Sequence, residues 1–232
     1  MKKFSLDEWR AYLLAQAKEY RVEIKEKRPA VTISRETGAG AITIGQMVTD
    51  SFQSLEKGRL HSWALFDQNI VKSVLEDQSL PERLEEFIKE EAKPAVKDAF
   101  EELLGLHPST PDLVRSMSRT IRKLAAAGGV VLIGRGAHII CANLSNALHV
   151  RLVAPLETRV QHIADYFKLS EKEAAKYVEK TDRSRKEYVR RYFGVDVADP
   201  HQYHLIINAG KVGYQEAAKI IVGAASRQCA KR

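Results

Sequence analysis

Cysteine is scarce in this sequence, and its scarcity excludes two kinds of protein. Among the 232 residues only Cys141 and Cys229 occur, one in an apolar segment and one near the end. Two isolated cysteines cannot build the disulfide framework of a small secreted domain, and they lack the paired spacing of a cysteine metal site. With a hydrophobic content of 44%, the chain is long enough for one full core, with room for a smaller inserted lobe.

Long apolar runs are also absent. No segment approaches the roughly 20 apolar residues of a membrane-spanning helix. The opening Met-Lys-Lys-Phe-Ser-Leu-Asp-Glu-Trp turns acidic and amphipathic where a signal peptide would need an apolar centre. We therefore expect a cytoplasmic protein that has no membrane segment.

Ser5 and Glu8 form the signature of a capping box, which predicts an amphipathic first helix over residues 5–20.

Positive charge is concentrated in one short stretch. The formal net charge is +7, and the twelve residues 180–191 contain six basic side chains against two acidic ones. More than half of the net charge therefore lies there. A basic cluster of this kind attracts phosphate, either in nucleic acid or on a small nucleotide.

The stretch from Val31 to Met47 has the layout of a phosphate-binding loop. A β-branched run is followed by Gly38 and Gly40, after which apolar residues return at helical spacing. Glycines in such a turn let backbone N–H groups face an anion at a helix N-terminus. A glycine pair alone would equally fit an ordinary strand-to-helix turn. The lysine that these loops normally carry is missing, because Ala41 stands where a nucleotide kinase would place it.

Five apolar segments of strand length alternate with helical patterns. Such alternation predicts an α/β domain with a largely parallel sheet. The most apolar of the segments is typical of a central strand that is buried on both faces. Ala209 and Gly210 predict a turn after the last strand. The predicted strands are residues 30–34, 63–67, 130–136, 147–154 and 204–208.

Two charged residues stand at predicted strand ends. Asp67 ends the second predicted strand, and Arg135 lies between two glycines at the end of the third. Ligands of parallel sheets bind in the crevice outside the carboxyl ends of the strands. We expect Arg135 to point into that crevice, whereas Asp67 taken alone would equally serve as a helix cap.

Two further helical patterns occur, one in the middle of the chain and one just before the basic cluster. The charged run 75–106 predicts a helical lobe inserted between strands. Ser170 and Glu173 form a second capping box, which predicts a helix to about Glu179, followed by the basic cluster on helical spacing.

Seven short motifs occur together in a fixed order. They are I-S-R-E-T-G-A-G at 33–40, F-D at 66–67, V-L-I-G-R-G-A-H at 131–138, L-H-V-R-L-V-A-P at 148–155, D-R-S-R-K-E-Y-V-R-R-Y-F-G-V-D at 182–196, D-P at 199–200 and I-N-A-G at 207–210. In this order and spacing the sequence resembles the cytidylate-kinase-like family, in the nucleoside monophosphate kinase branch of the P-loop NTPases. The resemblance begins at about Val31 and reaches the C-terminal helix.

The resemblance implies transfer of a phosphoryl group from ATP to a nucleoside monophosphate, CMP or dCMP before others, with Mg²⁺ bridging the phosphates. It also implies a P-loop fold in which a parallel five-stranded sheet is flanked by helices. On this basis residues 1–28 form an N-terminal helix and connection, and residues 29–232 form the kinase-like domain. Within it, about 68–110 is a helical insertion that binds the monophosphate, and about 170–195 is a basic helical lid.

Site residues follow from the same resemblance, position by position. The loop for the ATP phosphates comprises Arg35, Gly38, Ala39, Gly40, Ala41, Ile42 and Thr43, and the hydroxyl of Thr43 falls where a Mg²⁺ ligand belongs. Asp67 and Arg135 fall in the site for the monophosphate. The catalytic arginines of the lid are Arg183, Arg185, Arg190 and Arg191.

Two departures from the family pattern bear on activity. Ala41 replaces the lysine, and Ile42 stands where the subfamily often has an arginine, so the loop loses a point charge on the β and γ phosphates. Arg35 is a candidate substitute. Gly136 stands where cytidylate kinases read Gly-Arg-Asp and use the aspartate on the cytosine amino group.

These departures leave two alternatives beside the kinase. One is a pseudokinase that binds nucleotide without turnover and senses or scaffolds. The other, less favoured, is a nucleic-acid-binding module that uses residues 180–191. For His138 and His162 we expect packing roles.

Overall fold

The structure, a computed structural model, describes residues 28–56, 63–67 and 111–230. The predicted first helix over residues 5–20 and the predicted insertion at about 68–110 lie outside the described residues. The division of the chain into residues 1–28 and 29–232 stays a prediction.

A five-stranded sheet forms the centre of the described part of the chain. Its order is β2-β3-β1-β4-β5, and every neighbouring pair is parallel, which confirms the predicted α/β fold. The apolar β1 lies in the middle, and β3, the most apolar of the predicted strands, is buried along its whole length. In chain order the strands are β1 (Ala30–Arg35), β2 (Ala64–Phe66), β3 (Val130–Ile133), β4 (Ala147–Val153) and β5 (Leu205–Asn208).

Seven α-helices are present in the described residues. In chain order they are α1 (Ala41–Leu55), α2 (Pro111–Ala127), α3 (Ala137–Ile140), α4 (Leu156–Phe167), α5 (Glu171–Phe193), α6 (Ala209–Val212) and α7 (Tyr214–Ala230), with a single 3₁₀ turn at Pro200–Gln202. Because side chains alternate along a strand, β1 directs Val31 and Ile33 into the core with α1 and α7. Its Ala30 packs on the other face in a second core with α2 and α3.

Helices α4 and α5 form a hairpin beside the sheet. The predicted capping box is confirmed: the backbone N–H of Glu173 donates to the Ser170 hydroxyl, and the Ser170 N–H donates to the Glu173 carboxylate at 3.0 Å. From there α5 continues without a break to Phe193 and ends at Gly194. The basic cluster and the segment before it are therefore one helix of 23 residues, which we call the lid helix.

The prediction of a turn at Ala209 and Gly210 is wrong. These residues open the short helix α6, because the side chain of Asn208 accepts a hydrogen bond from the backbone N–H of Lys211 at 3.2 Å. An asparagine in this position caps a helix, and it turns the chain directly from β5 into the next helix.

Within residues 28–56, 63–67 and 111–230, none of the helices combines the length and the apolar character that crossing a membrane would require.

Buried polar side chains lie on the face of β1 and β4 that is opposite α1 and α7. The Thr32 hydroxyl is hydrogen-bonded to Nδ1 of His149 at 2.8 Å, and the backbone N–H of His149 donates to Nδ1 of His204 at 2.9 Å. Nearby, the Tyr203 hydroxyl lies 3.3 Å from Nε2 of His138. Burial lowers the pKa of His138 to about 4 and that of His149 also to about 4. Both imidazoles are therefore neutral in the folded protein at pH 7.

We predict that these histidines make stability fall in mild acid. Since their folded pKa lies below the unfolded value near 6.5, the unfolded chain binds more protons between about pH 6.5 and pH 4. The contribution of each histidine to the free energy of unfolding is fully present above pH 6.5. It falls by about 1.4 kcal/mol for each pH unit between about pH 6.5 and pH 4. Urea denaturation at several pH values should show a shallower pH slope for His149→Gln than for the wild type. The exposed His201 supplies the control, and an equal slope in His149→Gln and His201→Gln would contradict the prediction.

Candidate functional site

The glycine turn joins the centre of the sheet to a helix N-terminus. Strand β1 ends at Arg35, and α1 begins at Ala41 after Gly40, whose φ of 77° and ψ of 19° lie in the left-handed region. Glycine adopts this conformation without steric cost and offers no capping side chain. The first N–H groups of α1 are thus left for an anion, as in a phosphate-binding loop.

An aromatic ring and an imidazole contact the glycine turn. The ring of Tyr214 lies so close to Gly40 that a Cβ there would overlap it. The Tyr214 hydroxyl lies 3.0 Å from Nδ1 of His162, and the same nitrogen lies 2.9 Å from the carbonyl oxygen of Gly38. His162 therefore contacts the loop itself, beyond the packing role expected from the sequence.

The buried side chain of Arg159 ties the loop to the lid helix. Its Nε donates to the carbonyl oxygen of Ala154 at 3.0 Å, and its Nη1 donates to that of Thr37 at 3.2 Å. Nη1 also pairs with the carboxylate of Asp182 at 2.7 Å, and the carboxylate of Glu36 lies 3.4 Å from Nε. The guanidinium, on a residue only 9% exposed, is thus surrounded by oxygen atoms from the loop, the end of β4 and the lid helix.

Three arginines from three different elements come together beside the loop. Arg35 ends β1, Arg135 follows β3, and Arg185 belongs to the lid helix. Burial lowers the pKa of Arg35 well below its ordinary value, and the positive charges of Arg185 and Arg135 lower it further, against the opposing charges of Asp67 and Asp182. Burial also lowers the pKa of Arg185. Cations that destabilise one another in this way attract a polyanion.

Arg135 adopts an unusual backbone conformation within this cluster. Its φ is +54°, uncommon for a residue with a side chain, and its guanidinium lies 5.6 Å from the centre of the Tyr188 ring on the lid helix. The turn after β3 therefore directs Arg135 toward the lid helix, on the side where the carboxyl ends of the strands meet.

The four predicted lid arginines do not share one environment. The hydroxyl of Thr37 accepts a hydrogen bond from Nη1 of Arg185 at 2.9 Å. Arg183 instead pairs with Glu179 at 2.8 Å on the exposed face of the helix. Arg190 and Arg191 are exposed, and the guanidinium of Arg191 lies 5.6 Å from the Tyr192 ring. The structure thus brings Arg185 together with Arg35 and Arg135, and it leaves the other three on the surface.

The remaining predicted loop residues differ in exposure. Ala39 and Ala41 are buried in the core with α7, whereas Ile42 is 45% exposed and Thr43 is exposed in the first turn of α1. Asp67 follows β2 at the same end of the sheet as the loop, and its charge acts on Arg35. In the described part of the chain no group of three or more His, Cys, Asp or Glu side chains is placed to hold a metal.

Reasoning from the sequence missed three residues of this site, Thr37, Arg159 and Asp182. Asp182 is one of only two acidic residues within the basic cluster, and that exception was the available signal. Arg159 looks like an ordinary surface residue of an amphipathic helix, and Thr37 like part of a turn. Their contacts join residues far apart in the sequence, so no local pattern reveals them.

The comparison with known proteins agrees with the geometry. A model of the cytidylate kinase-like family matches residues 30–211. The chain belongs to the cytidylate kinase-like family. Membership confirms the predicted family and, together with the parallel sheet, the P-loop fold class. The predicted site residues themselves stay predictions.

Individual relatives are more distant and partial. A cytidylate kinase of Sulfolobus acidocaldarius is 38% identical over 86 residues, which make up 37% of this chain and 47% of that protein. A uronate isomerase of Corynebacterium glutamicum is 28% identical over 116 residues, or 50% of this chain and 22% of that protein. The chain thus spans less than half the length of these two curated relatives.

Among solved structures, an uncharacterized protein from Eubacterium ventriosum is similar with a TM-score of 0.63 at 19% identity. The match covers 86% of this chain and 99% of that chain. At this level of identity the likeness shows the fold alone.

We predict that Gly40→Ala disrupts the loop more than the left-handed backbone alone would require. A left-handed alanine costs about 1–2 kcal/mol, and the overlap with the Tyr214 ring should add about 1–3 kcal/mol. Gly194→Ala is the matched control, because Gly194 has a φ of +71° and nothing within 4 Å of an added Cβ. Urea denaturation measures both variants. Equal losses of unfolding free energy would show that the ring does not press on the loop.

Proposed function

We propose that this protein transfers a phosphoryl group from ATP to a nucleoside monophosphate, with CMP or dCMP as the acceptor. The observation that carries the proposal is the convergence of Arg35, Arg135 and Arg185 beside a glycine loop at a helix N-terminus. Membership of the cytidylate kinase-like family supports the same reaction class. Phosphoryl transfer needs positioning and neutralisation of charge more than covalent chemistry by the protein.

The donor phosphates would lie on the N-terminal turn of α1. There the backbone N–H groups and the helix dipole favour negative charge, and Arg35 adds a cation at the start of the loop. Mg²⁺ would neutralise charge on the ATP phosphates, and it characteristically binds through few protein oxygens plus phosphates and waters. The exposed Thr43 hydroxyl, in the first turn of α1, is the side chain that fits this role.

The acceptor phosphate would be held by Arg135, with Asp67 at the neighbouring strand end. Arg185 would face the phosphoryl group in transfer, where a fixed cation stabilises developing charge and the lid helix excludes water. The predicted insertion at about 68–110 would complete the acceptor site, and the lid predicted at about 170–195 would comprise the lid helix (Glu171–Phe193) and the chain just after it.

Recognition of the acceptor base involves residue 136, which is glycine in this chain. A Cβ at residue 136 would lie 2.5 Å from the Phe193 ring, so the last residue of the lid helix fills the space that a side chain at 136 would need. Recognition of cytosine by an aspartate at this position is therefore not available here, and another group would have to read the base.

A pseudokinase is the second candidate, favoured by the environment of Ala41. Alanine stands here in place of the usual lysine, so the loop lacks that point charge. The residue is only 6% exposed and packs in the hydrophobic core. Measurable ATP affinity without turnover would support this alternative.

The nucleic-acid hypothesis rests on the exposed Arg183, Arg190 and Arg191, and it predicts oligonucleotide binding that weakens steeply with salt.

We predict ADP release when the protein is supplied with ATP, Mg²⁺ and CMP or dCMP. A coupled assay over AMP, GMP, UMP, CMP and dCMP tests both the reaction and the acceptor. Background rates with all five acceptors would contradict the proposal.

Arg185→Ala should lower kcat about 100-fold, as does loss of a fixed group that stabilises the transition state. Its effect should exceed that of Arg183→Ala, because Arg183 lies on the exposed face with Glu179. Arg227→Ala, which removes an exposed arginine in the last turn of α7, is the control. A normal kcat in Arg185→Ala would remove this residue from the transfer step.

A further inference from the structure

Thr37 joins the phosphate loop to the lid helix through both its backbone and its side chain. Its backbone N–H donates to Oδ1 of Asp182 at 2.7 Å, and its hydroxyl donates to the same oxygen at 2.6 Å. The two residues are 145 positions apart, and Thr37 is only 4% exposed. A carboxylate on the lid helix is therefore bound at two points by one residue of the loop.

The Thr37 hydroxyl also accepts a hydrogen bond, from Nη1 of Arg185 at 2.9 Å. The Thr37 hydroxyl thus donates to the carboxylate of Asp182 and accepts from the guanidinium of Arg185. The direct distance from Nη1 of Arg185 to Oδ1 of Asp182 is longer, at 4.0 Å. A hydroxyl can do both, whereas an aliphatic side chain of the same shape can do neither.

The second oxygen of Asp182 strengthens the contact. It pairs at 2.7 Å with Arg159, whose Nη1 also donates to the carbonyl oxygen of Thr37. Thr37, Asp182 and Arg159 therefore form a closed set of hydrogen bonds, which we call the Thr37 contact. Hydrogen bonds to charged groups in a partly buried site are stronger than hydrogen bonds between neutral groups.

Asp182 attracts Arg185, whereas Arg135 on the turn after β3 repels it. Arg35 and Arg185 also carry like charges, which destabilise each other. Without an attachment on the loop, a long arginine side chain would turn toward the solvent-exposed face of the helix, where Arg183 lies paired with Glu179.

We propose that Thr37 is a positioning residue: its hydroxyl docks the lid helix on the phosphate loop through Asp182 and holds Arg185 toward the phosphoryl group in transfer. The docking is a claim about the protein alone. The effect on transfer rests on the proposed kinase function.

The test compares Thr37→Val, Thr37→Ser and Thr49→Val in the full chain. Valine keeps the shape of threonine and the backbone N–H but removes the hydroxyl, whereas serine keeps the hydroxyl. Thr49 is the matched control, because it is also buried. Its hydroxyl donates a hydrogen bond within α1, to the carbonyl oxygen of Gly45 at 2.9 Å. Asp182→Asn approaches the same contact from the lid helix and serves if Thr37→Val fails to fold.

Two readouts are measured on each variant. Hydrogen–deuterium exchange of the amides in residues 182–193 reports docking of the lid helix without any substrate. Steady-state kinetics with ATP and CMP report kcat and KM separately, and a merely structural role would not change kcat per folded molecule.

We expect Thr37→Val to speed exchange in residues 182–193 and to lower kcat about 10- to 100-fold with KM within about twofold, because an interaction made in the transition state is lost. Thr37→Ser should stay within about threefold of the wild type in kcat, and Thr49→Val should match the wild type in both readouts.

Unchanged exchange in both Thr37→Val and Asp182→Asn would overturn the docking. Faster exchange with a normal kcat would overturn the positioning of Arg185. If the wild type transfers phosphate to no acceptor, the proposed function fails, while the exchange measurement still decides whether Thr37 docks the lid helix.

Discussion

The buried guanidinium of Arg159 is the interaction on which the rest of the site depends. A charge in this position is tolerated only because the surrounding oxygens satisfy it, two of them from the carboxylates of Glu36 and Asp182. Those oxygens come from the loop, from the end of β4 and from the lid helix, so the three parts must be held together for the charge to be paired. The loop and the lid helix are therefore joined through one buried charge.

This arrangement also changes the meaning of the missing lysine. In the sequence, Ala41 looks like the loss of the one cation that the loop needs. In the structure, Ala41 belongs to the core, while Arg35, Arg135 and Arg185 supply positive charge from three other elements. Because electrostatic stabilisation depends on where charge stands and not on which residue carries it, the loop can lack a lysine and still face concentrated positive charge.

Much of the fold could be predicted from the sequence, because its signals are local. Apolar runs identified all five strands of the sheet, and the Ser170–Glu173 capping box marked the start of the lid helix. The turn predicted at Ala209 failed because Asn208 caps a helix there. The early end predicted at Glu179 failed because nothing in the basic cluster breaks a helix before Gly194.

The site was predictable only in part. Glycines and strand ends pointed to the loop and to Arg135, but periodicity could not tell which lid arginine faces the loop. Successive residues on a helix turn by about 100°, so Arg183 and Arg185 lie on different sides, and the docking of the helix decides which side meets the ligand.

The sequence by itself therefore determined the five strands in their order along the chain, the glycine turn and the family, since each depends on neighbouring residues or on a linear pattern. The tertiary structure alone decided the strand order β2-β3-β1-β4-β5, the partners of Arg159 and the contact of Thr37 with Asp182. The physical reason is that a polar side chain takes its role from the groups that packing brings within about 3 Å, and those groups come from distant parts of the chain.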